Sequence, residues 1–498
     1  MELQLRKKAY DCLRRVAWEV KNEERTQEVR LPEAMPDIGK VLGAWGQALI
    51  RSKEWRGNSM GISGGIMAWV LYAPEDGSMP RAVDTWIPFQ MRWDFPQTQR
   101  DGAMLGACQV GSVDARSISA RKLMVRATVS VAGEALEPSQ VDVYEADSLP
   151  EDIQLLRRQY PVRFPKESGE KTFLIDEELP VPPSCGALQK MIHYSLQPEI
   201  LDKKVMSDKV VFRGTAQLHM LCQCEENQLK TCDFEIPFSQ YAELEGVYDT
   251  YAGVRILPVL TNLELDIEEN GMLRLKAGVV GQYVIYDRPV VEVIEDAYSP
   301  GRKVTVQHQM LQFPAVLDAQ QERIHAEQAL EQGNGELVEV TFAVEHPTLG
   351  YGGEQARLHI PGGFQMLYYD QEGMLQGSNV RWEESLDVPT ATGNQTQAWS
   401  QRVGKPQAEL GNGASLHGEV QVDVMTSTTT EIPMVTALEL GEAVVADAGR
   451  PSLILRKMGN DSLWTMAKHC GSTVEAIERI NGLTEPPNPD RMLLIPIP

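Results

Sequence analysis

An internal repeat constrains this chain more than any other feature. The stretch from Gly65 to Ile87-Pro88-Phe89 recurs, with the same separation, from Gly214 to Ile236-Pro237-Phe238. Met67, Trp69 and Leu71 in the first copy answer to Ala216, Leu218 and Met220 in the second, and Leu123 and Val125 answer to Leu273 and Leu275. The segment behind each unit matches too: Val141-Asp-Val-Tyr-Glu145 against Val291-Glu-Val-Ile-Glu295, then Phe164-Pro165 against Phe313-Pro314. A looser third copy follows. Phe364 to Gly373 reads as its first hairpin strand and turn, Leu386-Asp-Val-Pro389 stands where Ile-Pro-Phe stood, and Ala414 to Met425 is its late strand. A period of about 150 residues is domain-sized, because stacked solenoid units run about 20 to 50 residues.

Within each copy, short alternating apolar runs are separated by Gly and Pro turns, which favours a β-sandwich or barrel. Two stretches read as helices. Residues 1–25 place Tyr10, Leu13, Ala17 and Val20 near one side of an amphipathic helix. Ala319 to Gln332 has helix-forming composition, although its counterpart in the second copy, Glu170 to Val181, reads as a strand. Thr426 to Thr430 reads as a loop, and Ala446 to Pro451 as a linker to a terminal module.

The 498 residues carry a net charge of −23. Such a body repels phosphate backbones, which argues against nucleic-acid binding. From Arg450 onward there are six basic and five acidic residues, so the terminal segment is nearly neutral. No apolar run approaches the length of a membrane span, and the first residues lack the apolar core of a secretory signal. The expected location is therefore the cytoplasm. Seven cysteines are scattered through the chain, which argues against a disulfide framework. Cys222 and Cys224 share one face of a strand, but no sequence pattern supplies two more ligands at zinc spacing.

Motifs that carry chemistry are not evident. The eight histidines form no His-Glu-x-x-His run, and His219 and His359, within strand patterns, read as strand-face residues. There is no Gly-x-Ser-x-Gly elbow and no phosphate-binding Gly-Lys-Ser/Thr. Gly61-Ile-Ser-Gly-Gly65 leads into a strand and not a helix, Gly411-Asn-Gly413 reads as a turn, and the pairs Glu225-Glu226 and Glu268-Glu269 sit at turns. The expectation is a chain with no catalytic residues, no metal site and no cofactor. An enzyme assembled across the repeats would instead need a deep polar pocket holding several titratable groups.

The last residues are the most legible. Leu453 to Leu455 suits a strand. Leu463, Met466, Ala467 and Cys470 make one apolar face of a helix capped by Asp461 or Ser462 and ended by Gly471. Ser472 and Glu475 make a capping box for a second helix, whose inner face is Val474, Ile477 and Ile480 and whose end is Asn481-Gly482. Met492 to Ile495 is a closing strand. This order, with Asn460-Asp461-Ser462-Leu463-Trp464, Asn481-Gly482-Leu483 and Leu494-Ile495-Pro496, resembles a LysM module. Asn460 stands where that family usually has glycine, with Gly459 one place earlier. The resemblance implies a ligand groove between Gly459, Asn460, Asp461, Ser462 and Leu463 on one side and Asn481, Gly482, Leu483 and Thr484 on the other.

The repeats, with Pro36-Asp37-Ile38-Gly39-Lys40-Val41-Leu42 and the Ile-Pro-Phe return strand, resemble the SPOCS domain. Followed by a LysM-like terminus, they resemble the SipL type of spore-coat morphogenetic protein. The expected fold is mainly β. SPOCS-like β-sandwiches would occupy residues 1–155 (with the N-terminal helix), 156–305 and 306–445, and an α/β LysM module would occupy 450–498. The resemblance implies a non-enzymatic scaffold that docks coat layers at the forespore surface from the mother-cell cytoplasm. Its implied partners are a basement-layer ATPase of the SpoIVA type and other coat proteins. The alternative is a binder of peptidoglycan or N-acetylglucosamine.

Overall fold

The computed structural model describes residues 2–95, 102–146, 149–225, 228–330, 335–352, 355–388, 395–409, 414–444, 449 and 451–497. Glu226, Glu331-Gln332, Pro389, Gly411-Asn-Gly413 and most of the expected linker lie outside them. The fold is mainly β. The first region contains β1 (Glu2–Leu3), β2 (Arg6–Arg30), β3 (Ile38–Arg56), β4 (Ser59–Pro74), β5 (Arg81–Asp94), β6 (Ala103–Ser119) and β7 (Lys122–Glu145). The second contains β8 (Gln154–Pro161), β9 (Phe164–Leu179), β10 (Leu188–Cys224), β11 (Leu229–Tyr248), β12 (Gly253–Ile267), β13 (Leu273–Asp287) and β14 (Val290–Tyr298). The third contains β15 (Arg302–Ala329), β16 (Glu336–Val344), β17 (Thr348–Gly352), β18 (Gln355–Tyr369), β19 (Leu375–Val388), β20 (Gln395–Glu409) and β21 (Ser415–Ala443). Last come β22 (Leu453–Lys457), α1 (Leu463–Cys470), α2 (Val474–Asn481) and β23 (Met492–Pro496).

One connectivity occurs three times. An early strand of each region pairs with a late one, and the strand just before that late one pairs on its other side: β2-β7-β6, β9-β13-β12 and β15-β21-β20, all antiparallel; in the second region β8 and β14 flank this set and pair with each other. Hairpin strands make a second sheet in each region: β3-β4-β5, β10-β11, and β16 and β19 on either side of β18. In the first region Ile62, Ile66, Ile87, Phe89 and Met91 of the hairpin sheet share one buried cluster with Leu123, Val125, Ala127 and Val129 of the other. The second and third regions have corresponding clusters, centred on Phe212 with Leu275 and on Phe364 with Val422.

Glycine and a facing ring explain the Gly to Ile-Pro-Phe spacing. Gly64 pairs with Phe89 and Gly214 with Phe238 across their hairpins. A Cβ on Gly64 would fall 2.0 Å from the Leu49 carbonyl and 2.8 Å from the Phe89 ring; on Gly214 it would fall 2.0 Å from the Glu199 carbonyl and 2.6 Å from the Phe238 ring. The third region keeps the device at Gly362, which pairs with Trp382 and faces the Ala343 carbonyl. The ring of the third region is thus Trp382, which lies ahead of the Leu386-Asp-Val-Pro389 stretch that stands where Ile-Pro-Phe stood and carries no ring.

Three expectations of local structure are corrected. Residues 6–30 form strand β2, not a helix, because β7 offers a complete ladder from Lys122 to Glu145 that β2 closes. Its charged residues face partners across the strands: Lys7 with Asp142, Arg14 with Glu137 and Lys122 with Glu28. Ala319 to Ala329 likewise pairs with Ser415 to Met425 as strand, so long-range ladder bonds override local helix propensity. Thr426 to Thr430 continues β21 and is not a loop.

The regions share one further core. The end of β7 with the start of β2 supplies Val141, Val143 and Cys12. β14, with the chain entering β9, supplies Val291, Val293, Val162 and Phe164. β15 with β21 supplies Leu311, Phe313, Ile432 and Met434. Phe164 and Phe313, the matching Phe-Pro pairs of the sequence, are both fully buried there.

Candidate functional site

Residues 453–496 fold as strand, helix, helix, strand, with β22 and β23 antiparallel. Ser462 caps α1 by accepting from the Thr465 amide at 3.1 Å, and Gly471 ends it in the left-handed region at φ 64°. The cap of α2 is Thr473, which accepts from the Ala476 amide at 3.1 Å. Ser472 is not a capping-box partner; its hydroxyl is buried and donates to the Pro496 carbonyl.

The groove residues fall in two neighbouring loops. Gly459 takes a positive φ of 61°, and its amide donates to the Pro489 carbonyl. Asn460 and Ser462 are exposed, and Asp461 pairs with Arg456 at 2.6 Å. Leu463 lies against the module core. On the other side Gly482 turns the chain at φ 59°, Leu483 joins the core and Thr484 is exposed. Asn481 joins the end of α2 to β23. Its amide donates to the carbonyls of Ile477 at 2.8 Å and Leu494 at 2.6 Å, and its oxygen accepts from the Leu494 amide at 2.8 Å.

The module rests on β14. Trp464 meets Tyr298 edge to face at 4.8 Å and donates from its indole to Asp296 at 2.8 Å. Lys468 donates to the same carboxylate at 2.7 Å, and the Tyr298 hydroxyl donates to the Ser472 carbonyl at 2.9 Å. Burial acts to raise the Asp296 pKa, but the bonds from Lys468 and Trp464 outweigh it and hold the carboxyl below its usual range. The outer face of the β22–β23 pair is uncovered: Leu453, Leu455 and Met492 are 44%, 60% and 49% exposed.

A second site lies where the three regions meet. A cavity of about 750 Å³ is lined by Trp45 and Gln109 from the first region, His193 and His219 from the second, and Glu345 and Lys405 from the third, among others. Its lining mixes polar and apolar surface and includes the titratable groups His193, His219, Asp233, Glu345 and Lys405. His193 and His219 sit on β10, and Glu339 reaches them from β16. The Glu339 carboxylate lies 2.9 Å from His193 Nε2 and 2.7 Å from His219 Nε2. His193 is stacked on Trp45 with ring centroids 4.3 Å apart. His219 Nδ1 meets Asp233 at 2.6 Å, and Asp233 in turn pairs with Lys405.

Both nitrogens of His219 face carboxylates, which can only accept, so both carry protons in the ion-free state. Burial works to lower the His219 pKa, but hydrogen bonds to Asp233 and Glu339 carry it up to about 9. Burial works to raise Glu339, and the two histidines bring it down to about 2. His193 is lowered, burial outweighing the Glu339 charge. Sequence spacing missed this cluster because its ligand types lie 26 and 120 residues apart, on strands whose contact only the tertiary fold creates. His359, the other strand-face histidine, is half-buried near Glu383.

The cysteines also converge. Cys185 and Cys232 form a disulfide, and Cys222 lies 3.6 Å from Cys224 and 3.9 Å from Cys232, all within the core of the second region. Spacing alone gave Cys222 and Cys224 no companions. The turn at Pro183–Cys185 and the ladder from β10 to β11 bring the other two beside them. Cys222 is a buried thiol whose pKa is pushed up by desolvation.

Residues 188–268 match the family model described as SipL, SPOCS domain. The matched stretch covers β10, β11 and β12 and so contains His193, His219, Asp233 and three of the four clustered cysteines, Cys222, Cys224 and Cys232. It points to a sporulation-related protein. No curated protein and no solved structure matches the chain. No described helix is long and apolar enough to cross a membrane.

Proposed function

We propose that the chain is a non-enzymatic scaffold in spore-envelope assembly. In this reading three SPOCS-like repeats, at 1–155, 156–305 and 306–445, form the body and a LysM-like module at 450–498 docks it to the forespore surface. It works from the mother-cell cytoplasm, and its partners are a coat basement-layer ATPase of the SpoIVA type and other coat proteins. The match of residues 188–268 to the SipL SPOCS family supports the sporulation role. The uncovered apolar face of β22 and β23 is the observation that favours docking to protein, because an apolar sheet face suits a protein partner better than a sugar.

The groove of Gly459 to Leu463 and Asn481 to Thr484 remains the candidate for the second reading, a peptidoglycan binder. The side chain of Asn481 is already engaged within the module, which leaves backbone groups and Asn460, Ser462 and Thr484 to meet a glycan. A fluorescent fusion of the full chain separates the readings. The wild type is expected to form a ring or cap around the developing spore, and Leu455→Lys with Met492→Lys to leave it diffuse while the chain stays folded. Normal rings in that variant, or retention of the purified chain on bare peptidoglycan, would overturn protein docking through this face.

A further inference from the structure

We infer that His193, His219 and Glu339 form a zinc site at the junction of the second and third regions, with its open position on the central cavity. This inference is independent of the docking role proposed for the terminal module. One ligand atom from each residue lies within 4.8 Å of the others. Two imidazole nitrogens and one carboxylate are a donor set that zinc takes, with bonds of about 2.0 to 2.2 Å. Such bonds in a tetrahedron set ligand atoms about 3.3 Å apart. The observed contacts of 2.7 and 2.9 Å therefore need to open by only a few tenths of an ångström.

The surroundings have the form of a metal-supporting shell. A ligating histidine commonly donates its second ring N–H to a carboxylate, which fixes the tautomer and turns the free nitrogen toward the ion. His219 has that partner in Asp233, and Asp233 is held by Lys405. The His193 ring is fixed by its stack on Trp45. The side chains of His193 and Glu339 are 2% and 1% exposed, so the ligands come from rigid, buried strands and not from a loop. Three protein ligands leave one position free, and His193 and His219 both face the cavity.

Charge selects what fills that position. The supporting pair of Asp233 and Lys405 is neutral overall. A zinc ion held by two neutral imidazoles and the Glu339 carboxylate carries one net positive charge. A hydroxide or a small anion from the cavity restores neutrality, so the fourth ligand is expected to be anionic. The ion would tie β10 to β16 and make the cavity an anion-accepting pocket.

The test uses the full-length chain, stripped with a chelator and checked for intact secondary structure by circular dichroism, then titrated with cobalt(II) and back-titrated with zinc(II). The expected result is one equivalent of cobalt with visible d–d bands of tetrahedral intensity, well above those of the free aqua ion, and no thiolate charge-transfer band, displaced by zinc. His219→Gln and Glu339→Gln should abolish the bands, and Asp233→Asn should weaken binding about 10- to 100-fold. A folded chain that takes up no ion would overturn the site and leave a hydrogen-bonded His–Glu–His cluster. A thiolate band, or uptake that survives His193→Gln with His219→Gln and disappears in Cys222→Ser with Cys224→Ser, would move the ion to the cysteine cluster and overturn it equally. The cobalt spectrum of the wild type decides between nitrogen and sulfur ligands even where a variant fails to fold.

Discussion

The terminal module and the central cavity build candidate sites in opposite ways. In the module, every groove residue lies within 26 positions of every other, on loops shaped by helix caps and left-handed glycines at 459 and 482. In the cavity, the key side chains come from Trp45 to Lys405 and stand on strands that meet only in the finished fold. The first kind of site is written locally and carried by a small apolar core of Met466, Ala467, Ile477, Leu493 and Ile495. The second is held by strands from all three regions. A local site can be shed or regulated without disturbing the rest; a central one stands or falls with the body.

The contrast can be broken first at the body. Phe313→Ala should cost about 3–5 kcal/mol, read as a lower denaturant midpoint. Hydrogen exchange should then rise in all three ribbons of the shared core, around residues 141–143, 291–293 and 432–434. A rise confined to β15 and β21 would mean that the regions are independent after all. Ile477→Ala should cost about 2–5 kcal/mol of module stability but leave exchange in the body unchanged; spread of the effect beyond β14 would erase the distinction between the two sites.

Asp296→Ala removes the acceptor for Trp464 and Lys468 and should cost about 1.5–3 kcal/mol of docking, seen as a red shift of Trp464 emission. The same contact has a pH signature. Its folded pKa is depressed, so its contribution is present above the ordinary aspartate value of about 3.9 and is lost as pH falls through the folded value. Docking that persists unchanged below that range would show that Tyr298 alone holds the module. The smallest effect separates two caps: Thr473→Ala should cost about 1 kcal/mol, measured by module melting, whereas Glu475→Gln should change little because no capping box is formed.

What was legible in the sequence follows the same divide. Strand alternation in Leu123, Val125, Ala127 and Val129 was clear because one face meets a core and each residue reports its own burial. The first helix start was legible to within Asp461 or Ser462, and its end at Gly471 was clear, because a cap is a contact between near neighbours. The second cap was missed by one residue, since Ser472 and Thr473 both offer a hydroxyl and only the packing of Ser472 against Pro496 decides between them. Residues 6–30 and 319–329 carried helix-like patterns, and their partners lie roughly a hundred residues away. The same distance hid the meeting of His193, His219 and Glu339.

The pairing of Glu2 and Leu3 with Glu439 and Leu438 sets a clock on biogenesis. At about 5–20 residues per second, the ribosome needs on the order of 20 to 90 seconds to deliver the partner of the second residue. The ladder of β2 with β7 can close during that wait, but β1 cannot find its place until β21 has emerged. A chain cut short before Leu438 therefore leaves the backbone groups of Glu2 and Leu3 without this partner.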